Sequence, residues 1–206
     1  MKEPIKRLLA FMLRFRRLRR WASRACQWYR HHYESGQAHR GLADDISETR
    51  PLRPLLSTAT GERLNLLIPT LMEPHVFGGI ATALKLFEAM APAYENLRVI
   101  VLDSTAAPGD NIPPYCEWTS IVGAEHDGNG KLVVECINRS TGIYVRANDH
   151  FIATAWWSAV IARQIVAWQR QQYACARRYV YLIQDYEPGF YPWSARYALA
   201  ESTYRC

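Results

Sequence analysis

The sequence predicts an α/β domain built on a mostly parallel sheet, and three observations predict it. Short apolar runs of strand length recur at Leu64–Ile68, Leu97–Leu102, Lys131–Ile137, Phe151–Ala155 and Tyr179–Ile183. Segments with helical spacing follow several of them, the alternation expected of a parallel sheet. The first run feeds its helix through Gly78-Gly79, the way such sheets present free backbone N–H groups to an anion. The plain alternative at this glycine pair is a β–α turn that needs glycine only for tight packing.

Leu64, Leu66, Leu67 and Ile68, closed by Pro69, suit a strand covered on both faces. Ile80, Ala83, Leu84 and Phe87 recur at i, i+3, i+4, i+7 of the next helix, while Lys85 and Glu88 point away. Leu97–Leu102 is a second strand ending at Asp103, followed by a long polar loop with four prolines and glycines. Trp118–Val122 is a candidate strand, and Asp127-Gly128-Asn129-Gly130 is a turn before the strand Lys131–Ile137. Phe151–Ala155 leads into a helix marked by Trp157, Val160, Ile161, Ile165 and Trp168. Tyr179–Ile183 ends in a loop crowded with acids and aromatics, and a last helix begins near Trp193. The alternation implies a single Rossmann-like domain over residues 63–206.

The charge is divided unevenly. Ten of the 25 Lys/Arg and one of the 19 Asp/Glu fall in residues 1–33, so the remainder carries 15 bases against 18 acids. Residues 5–30 read as a basic amphipathic helix, with Leu8, Phe11, Phe15, Leu18, Ala22 and Ala25 on one stripe and Arg16, Arg17, Arg20 and Arg24 opposite. Such a helix suits the headgroup layer of an anionic membrane, each arginine adding roughly 1 kcal/mol near the surface. Nucleic acid is the other anion it suits, and a helix docked on its own domain or another subunit is the plain alternative. The reading adopted is an anionic membrane surface and no nucleic acid. Residues 34–62 are polar and punctuated by Gly and Pro, as in a linker.

The longest early apolar run, Leu8–Leu13, falls far short of the roughly 20 residues that span a bilayer. Five cysteines without CxxC or Cys/His zinc spacing suit a reduced, cytoplasmic protein, and the basic helix suits a peripheral place at the inner face of the cell membrane. P-loop, GxSxG, HExxH and Cys–His arrangements are absent from the sequence.

In open α/β sheets ligands sit beyond the carboxyl ends of the strands. There the sequence places His75 and Gly78-Gly79, then Thr154 and Trp156, then Gln184, Asp185, Tyr186 and Glu187. Carboxylates and glutamine bond hydroxyls, and aromatic faces pack on apolar sugar faces, so the set suits a polyhydroxylated ligand. Each member has a bland counterpart. Asp185 and Glu187 suit a cap on the following helix, His75 is a lone loop histidine, and of Trp156 and Trp157 one is expected inward and one outward. Asp149 and His150 are expected just before a strand, where exposure costs nothing.

Three stretches carry more than composition: LNLLIPTLMEPHVFGGIATAL, DHFIATAWWSA and YLIQDYEPGFYPWSARYALAESTY. Together they resemble the N-terminal domain of bacterial rhamnosyltransferases of the WsaF type, in glycosyltransferase family 4 with the GT-B fold, over roughly residues 63–206. The resemblance implies two Rossmann-like domains around a cleft, the first binding a glycan acceptor and the second a nucleotide sugar, typically dTDP-L-rhamnose, with no cofactor and no essential metal. It implies a part in cell-surface polysaccharide synthesis. The chain stops at Cys206, so the expectation is the first half of such an enzyme, with the donor-binding domain absent and activity incomplete. By resemblance Gly78 and Gly79 face the donor diphosphate, and Asp185, Tyr186 and Glu187 line the acceptor side. No residue has a unique claim to be a catalytic base. A non-catalytic sugar- or nucleotide-binding fragment and a membrane-surface adaptor led by the basic helix stand as alternatives.

Overall fold

The computed structural model describes residues 46–76, 78–103, 111–136, 142–175 and 177–205. The basic helix expected at residues 5–30 lies outside the described residues, as does the stretch 34–45. Among the described residues eight strands and three α-helices follow in order: β1 (Arg53–Leu56), β2 (Arg63–Ile68), α1 (Gly79–Met90), β3 (Asn96–Val101), β4 (Thr119–Val122), β5 (Lys131–Glu135), β6 (Gly142–Val145), β7 (Asp149–Ala153), α2 (Trp156–Tyr173), β8 (Tyr179–Tyr181) and α3 (Ala195–Thr203). Six strands form a sheet in the order β4-β5-β3-β2-β7-β8, and every pair in it is parallel. This is the Rossmann-like arrangement the sequence predicts. The chain leaves β2 towards β3 on one side, while β7 and β8 occupy the other. The strand order therefore reverses between β2 and β7, and the carboxyl ends of these two strands are where open α/β sheets generally bind ligands.

β2 is buried along its whole length because both faces are covered. Successive side chains alternate between faces. Leu64, Leu66 and Ile68 pack with Val99, Val101, Val133 and Ile152 against Ala83, Leu84 and Phe87 of α1. On the opposite face the same alternation places Arg63, Asn65 and Leu67 of β2, Arg98 and Ile100 of β3, and Asp149, Phe151 and Ala153 of β7. α2 covers that face with Trp156, Ile161 and Ile165, all fully buried.

The amino-end half of that face is polar. Asp149 is fully buried and takes a two-pronged bond from Arg63, Nε to Oδ1 at 2.7 Å and Nη2 to Oδ2 at 2.9 Å. The backbone N–H of Arg146 donates to the same carboxylate at 2.8 Å, and Arg98 Nη2 approaches it at 3.5 Å. Gln169 of α2 donates to the carbonyls of Arg146 and Asp149 at 2.6 and 3.1 Å. The expectation that Asp149 sits exposed before a strand is thus corrected: it is the first residue of β7, paired with Arg63 in the register. Burial alone would push its carboxyl up, but the Arg63 hydrogen bond and the Arg98 and Arg63 charges outweigh it and hold the carboxyl below its ordinary value. Burial and the nearby Arg63 charge pull Arg98 down to about 9, which leaves it protonated at neutral pH.

Residues 46–62, expected as linker, are part of the body, because the compact unit runs from Ile46 to Cys206. β1 pairs in parallel with β6, a two-stranded sheet the sequence reading missed. Leu52 is buried, Glu48 pairs with Arg196 of α3 at 3.0 Å, and the Ser57 N–H donates to the Tyr173 hydroxyl at 2.9 Å. A four-residue strand with one apolar pair gives too short a period to be read from sequence.

Removing the buried carboxylate strands two arginines. Asp149→Ala is expected to lower the unfolding free energy by about 3–5 kcal/mol in a urea titration at neutral pH. The Asp149 contribution is fully present above the unfolded-chain value near 4 and fades as the pH falls below it. The gap between wild type and variant should therefore narrow on acidification to about pH 3; a gap that does not change with pH would contradict an ionised Asp149.

Candidate functional site

All six strands of the main sheet run the same way, so their carboxyl ends share one rim. The loop after β2 passes through a single turn at Glu73–His75 before reaching α1. Gly78 has φ 51° and ψ −110°, a combination that side-chain-bearing residues rarely adopt, and it directs the chain into the helix. Among the described residues no side chain caps α1, and no acid lies in its first turn. The amides of Gly79, Ile80 and Ala81 are thus presented at the rim without an anion from the described residues.

The start of α2 is arranged in the opposite way. Ser158 Oγ accepts from the N–H groups of Thr154 and Ala155, each at 2.9 Å. Glu187 Oε2 accepts from the Trp156 N–H at 2.5 Å and stands 3.5 Å from the Tyr181 hydroxyl. A carboxylate at a helix N-terminus is favoured by the aligned peptide dipoles. Glu187 is therefore a cap, as one expectation held, but of α2, which precedes it, rather than of the helix that follows. Burial pushes its carboxyl up to about 7; the Trp156 and Tyr181 hydrogen bonds pull down and the nearby Asp185 charge pushes up. Near neutral pH this acid exchanges its proton readily. Its other oxygen, Oε1, has no hydrogen-bond partner among the described residues and is not sealed from water.

The loops after β2 and β8 meet at this rim. Gln184 Nε2 donates to the Gly79 carbonyl at 2.8 Å. A Cβ on Gly79 would stand 2.4 Å from Gln184 Oε1, so glycine is what allows the approach. Gly79, Gln184 and, one residue further, Asp185 therefore share one end of the sheet. Asp185 is exposed and accepts from the Tyr186 N–H at 2.7 Å. The hydroxyl of Tyr204, the residue that closes α3, donates to the Asp185 carbonyl at 2.7 Å and accepts from the Glu187 N–H at 3.0 Å, which fixes the acidic loop to the end of the last helix.

Two predicted site residues turn inward. Thr154 is buried and its hydroxyl donates to the Leu67 carbonyl at 2.9 Å, tying β7 to β2. Trp156 is fully buried, with its indole N–H bonded to the Tyr191 hydroxyl at 2.9 Å. It offers the rim its backbone N–H and not an aromatic face, which corrects the expectation of a stacking plane there. Trp157 is buried as well, donating to Asp103 Oδ2 at 3.2 Å, so neither ring of the pair points outward. α2 is too deeply sandwiched for an outward side at its first turn. His75 is half-buried in the Glu73–His75 turn, on the same loop as the glycines. Tyr181, Tyr204 and Ser158, which hold the acid and the helix start, were missed; nothing in a run such as YVYLI signals which tyrosine will face a carboxylate.

A cavity of about 550 Å³ opens at the other, amino rim, between the end of α1 and the starts of β3, β4 and β5. It is remote from the glycines and the acidic loop. Among the described residues no group of three or more His, Cys, Asp or Glu is placed to hold a metal ion, and no helix is long and apolar enough to cross a membrane.

A family model described as "WsaF, N-terminal domain" matches residues 63–206. The chain belongs to this family. Membership makes the domain glycosyltransferase-related, with nucleotide sugars and their acceptors as the general ligand classes. No curated protein matches the chain by sequence.

Two measurements check the rim. Gly78→Ala forces a side chain into the disfavoured backbone region and should cost roughly 1–3 kcal/mol of stability. Gly79→Ala should leave stability nearly unchanged, because better helix propensity of about 1 kcal/mol offsets the lost Gln184 bond; equal losses in the two variants would contradict the described loop. Glu187 has its folded value raised above the unfolded one of about 4.3, so its contribution is greatest below that pH and declines as the pH rises towards about 7. Glu187→Gln removes this decline while keeping an acceptor for Trp156. The variant should gain on wild type in urea midpoint between about pH 5 and pH 8, and parallel profiles would show that Glu187 is not destabilised by ionisation.

Proposed function

We propose that this domain is the acceptor-binding lobe of a glycosyltransferase that moves a sugar from a nucleotide-diphosphate donor to a glycan hydroxyl in cell-surface polysaccharide synthesis. The observation that carries the reading is the contrast between two helix starts on one rim. α2 is capped by the protein's own acid, Glu187, while α1 has no cap and no acid in its first turn. A diphosphate fits the second and not the first. In this reading the Gly78–Gly79 loop faces the donor diphosphate and stabilises the charge that develops on it as the glycosidic bond breaks. The donor is dTDP-L-rhamnose or another nucleotide sugar, on the strength of the resemblance.

On the acceptor side, Glu187 Oε1 and Asp185 take hydrogen bonds from sugar hydroxyls, and the exposed Gln184 adds a neutral partner. Glu187, held by Trp156 and Tyr181, is the better oriented of the two acids. Thr154 and Trp156 act beneath the surface, by joining β7 to β2 and by presenting the α2 amide. His75, on the same loop as the glycines, lines the acceptor cleft in this reading.

Saturation-transfer NMR and calorimetry with methyl α-L-rhamnoside and dTDP-L-rhamnose test the reading. The glycoside should bind, and Glu187→Ala and Asp185→Ala should each weaken it roughly tenfold, about 1.4 kcal/mol. Binding of the glycoside that neither variant alters would place the acceptor elsewhere and sink this proposal. Binding of the glycoside with no transfer from dTDP-L-rhamnose by the full-length protein would favour a non-catalytic sugar-binding module.

A further inference from the structure

Aromatic rings line the outer side of the last helix and the segment before it. Trp193, just before α3, is 84% exposed. Its ring lies 5.1 Å from that of Tyr197, tilted by 48°. The Tyr197 hydroxyl is 3.4 Å from that of Tyr186, which donates to Glu201 Oε2 at 2.5 Å. Arg205 Nη2 holds the other oxygen of Glu201 at 2.7 Å. Trp193, Tyr197, Ala198, Glu201, Ser202 and Arg205 line a shallow cavity of about 320 Å³. The row runs from the acidic loop at Tyr186 outward to Trp193.

We propose that the row Tyr186–Tyr197–Trp193, with Glu201 and Arg205 beside it, is a second saccharide subsite that holds the acceptor chain beyond the unit seated at the rim. The proposal rests on the acceptor reading above and adds a surface which that reading does not require. Three features select an extended saccharide as the occupant. Aromatic faces stacked on the C–H faces of a sugar bury apolar area, while the neighbouring carboxylate, guanidinium and phenol groups meet its hydroxyls. An apolar protein partner would have to cover Glu201 and Arg205, which carries a desolvation cost that sugar hydroxyls offset. The Tyr186 hydrogen bond, followed by Arg205, holds the Glu201 carboxyl below its ordinary value, so it stays an acceptor at neutral pH.

The platform is also pre-ordered, so little entropy is lost when a chain settles on it. Ser194 caps α3 by accepting from the Tyr197 N–H at 3.3 Å, and Tyr204 anchors the helix to the Asp185 and Glu187 backbone. The subsite is continuous with the rim because Tyr186 belongs to both: its N–H bonds Asp185 and its hydroxyl bonds Glu201.

The test titrates the full chain with methyl α-L-rhamnoside and with a linear rhamnotetraose, reading the ratio of the two affinities. In the wild type the tetrasaccharide should bind at least about tenfold more tightly than the glycoside. Trp193→Ala with Tyr197→Ala should bring that ratio close to one, and Glu187→Gln should weaken both ligands while preserving the ratio. A ratio near one in the wild type, or a ratio untouched by the double variant, overturns the subsite while the rim reading stands. Failure of both saccharides to bind the wild type ends the acceptor reading and this subsite with it. Sedimentation showing a dimer that Trp193→Ala dissolves assigns the patch to self-association and also overturns the proposal.

Discussion

The fold turns on one buried carboxylate. Asp149 opens β7, and its two oxygens are taken by Arg63 of the neighbouring β2 and by the backbone of Arg146. A charge without water must be paired with good geometry, because an unpaired one costs several kcal/mol. That requirement selects one lateral position for β7 beside β2, since a shift by one residue would turn Asp149 to the apolar face packed against α1. Gln169 ties α2 to the same corner through the Arg146 and Asp149 carbonyls. The ionic corner sits at the amino ends of the strands, yet it sets the register of everything at the carboxyl ends.

With β7 in register, the rest of the rim follows. β7 ends beside β2, so Thr154 reaches the Leu67 carbonyl and α2 starts next to the glycine loop. β8 adds to β7 and brings Gln184 to Gly79 and Glu187 to the Trp156 amide. The two helix starts then divide the work of meeting negative charge. One is satisfied internally by an acid whose burial makes it hold its proton up to about pH 7. The other is left uncapped behind a glycine in a conformation few residues tolerate. Solvent-facing backbone amides at an uncapped helix start suit an arriving anion.

Much of this was legible in the residues. β2, β3, β5, β7 and β8 are recognisable as short apolar runs, because a strand buried on both faces has almost no polar positions. The glycine pair and the acidic, aromatic loop were assigned to one rim by the rule for parallel sheets, and Gln184 bonded to Gly79 joins the two. The misses share a cause. Asp149 reads as an exposed charge just before a strand, and only its contact with Arg63 and Arg98 permits burial. Trp156 and Trp157 read as an inward and an outward ring, but α2 begins so deep that both are covered. β1 and β6 are four residues each and stabilise only by pairing with one another.

Local order along the chain by itself determined the α/β class, the strand and helix succession, and the family to which residues 63–206 belong. These depend on periodicity and on motifs spelled out in continuous stretches, and both survive without coordinates. The tertiary structure alone decided which charges are buried, which helix Glu187 caps, and which aromatic rings remain in water. Those outcomes are set by contacts between residues such as Arg63 and Asp149, 86 positions apart. No local pattern encodes the low-dielectric surroundings that give a carboxylate or an indole its role.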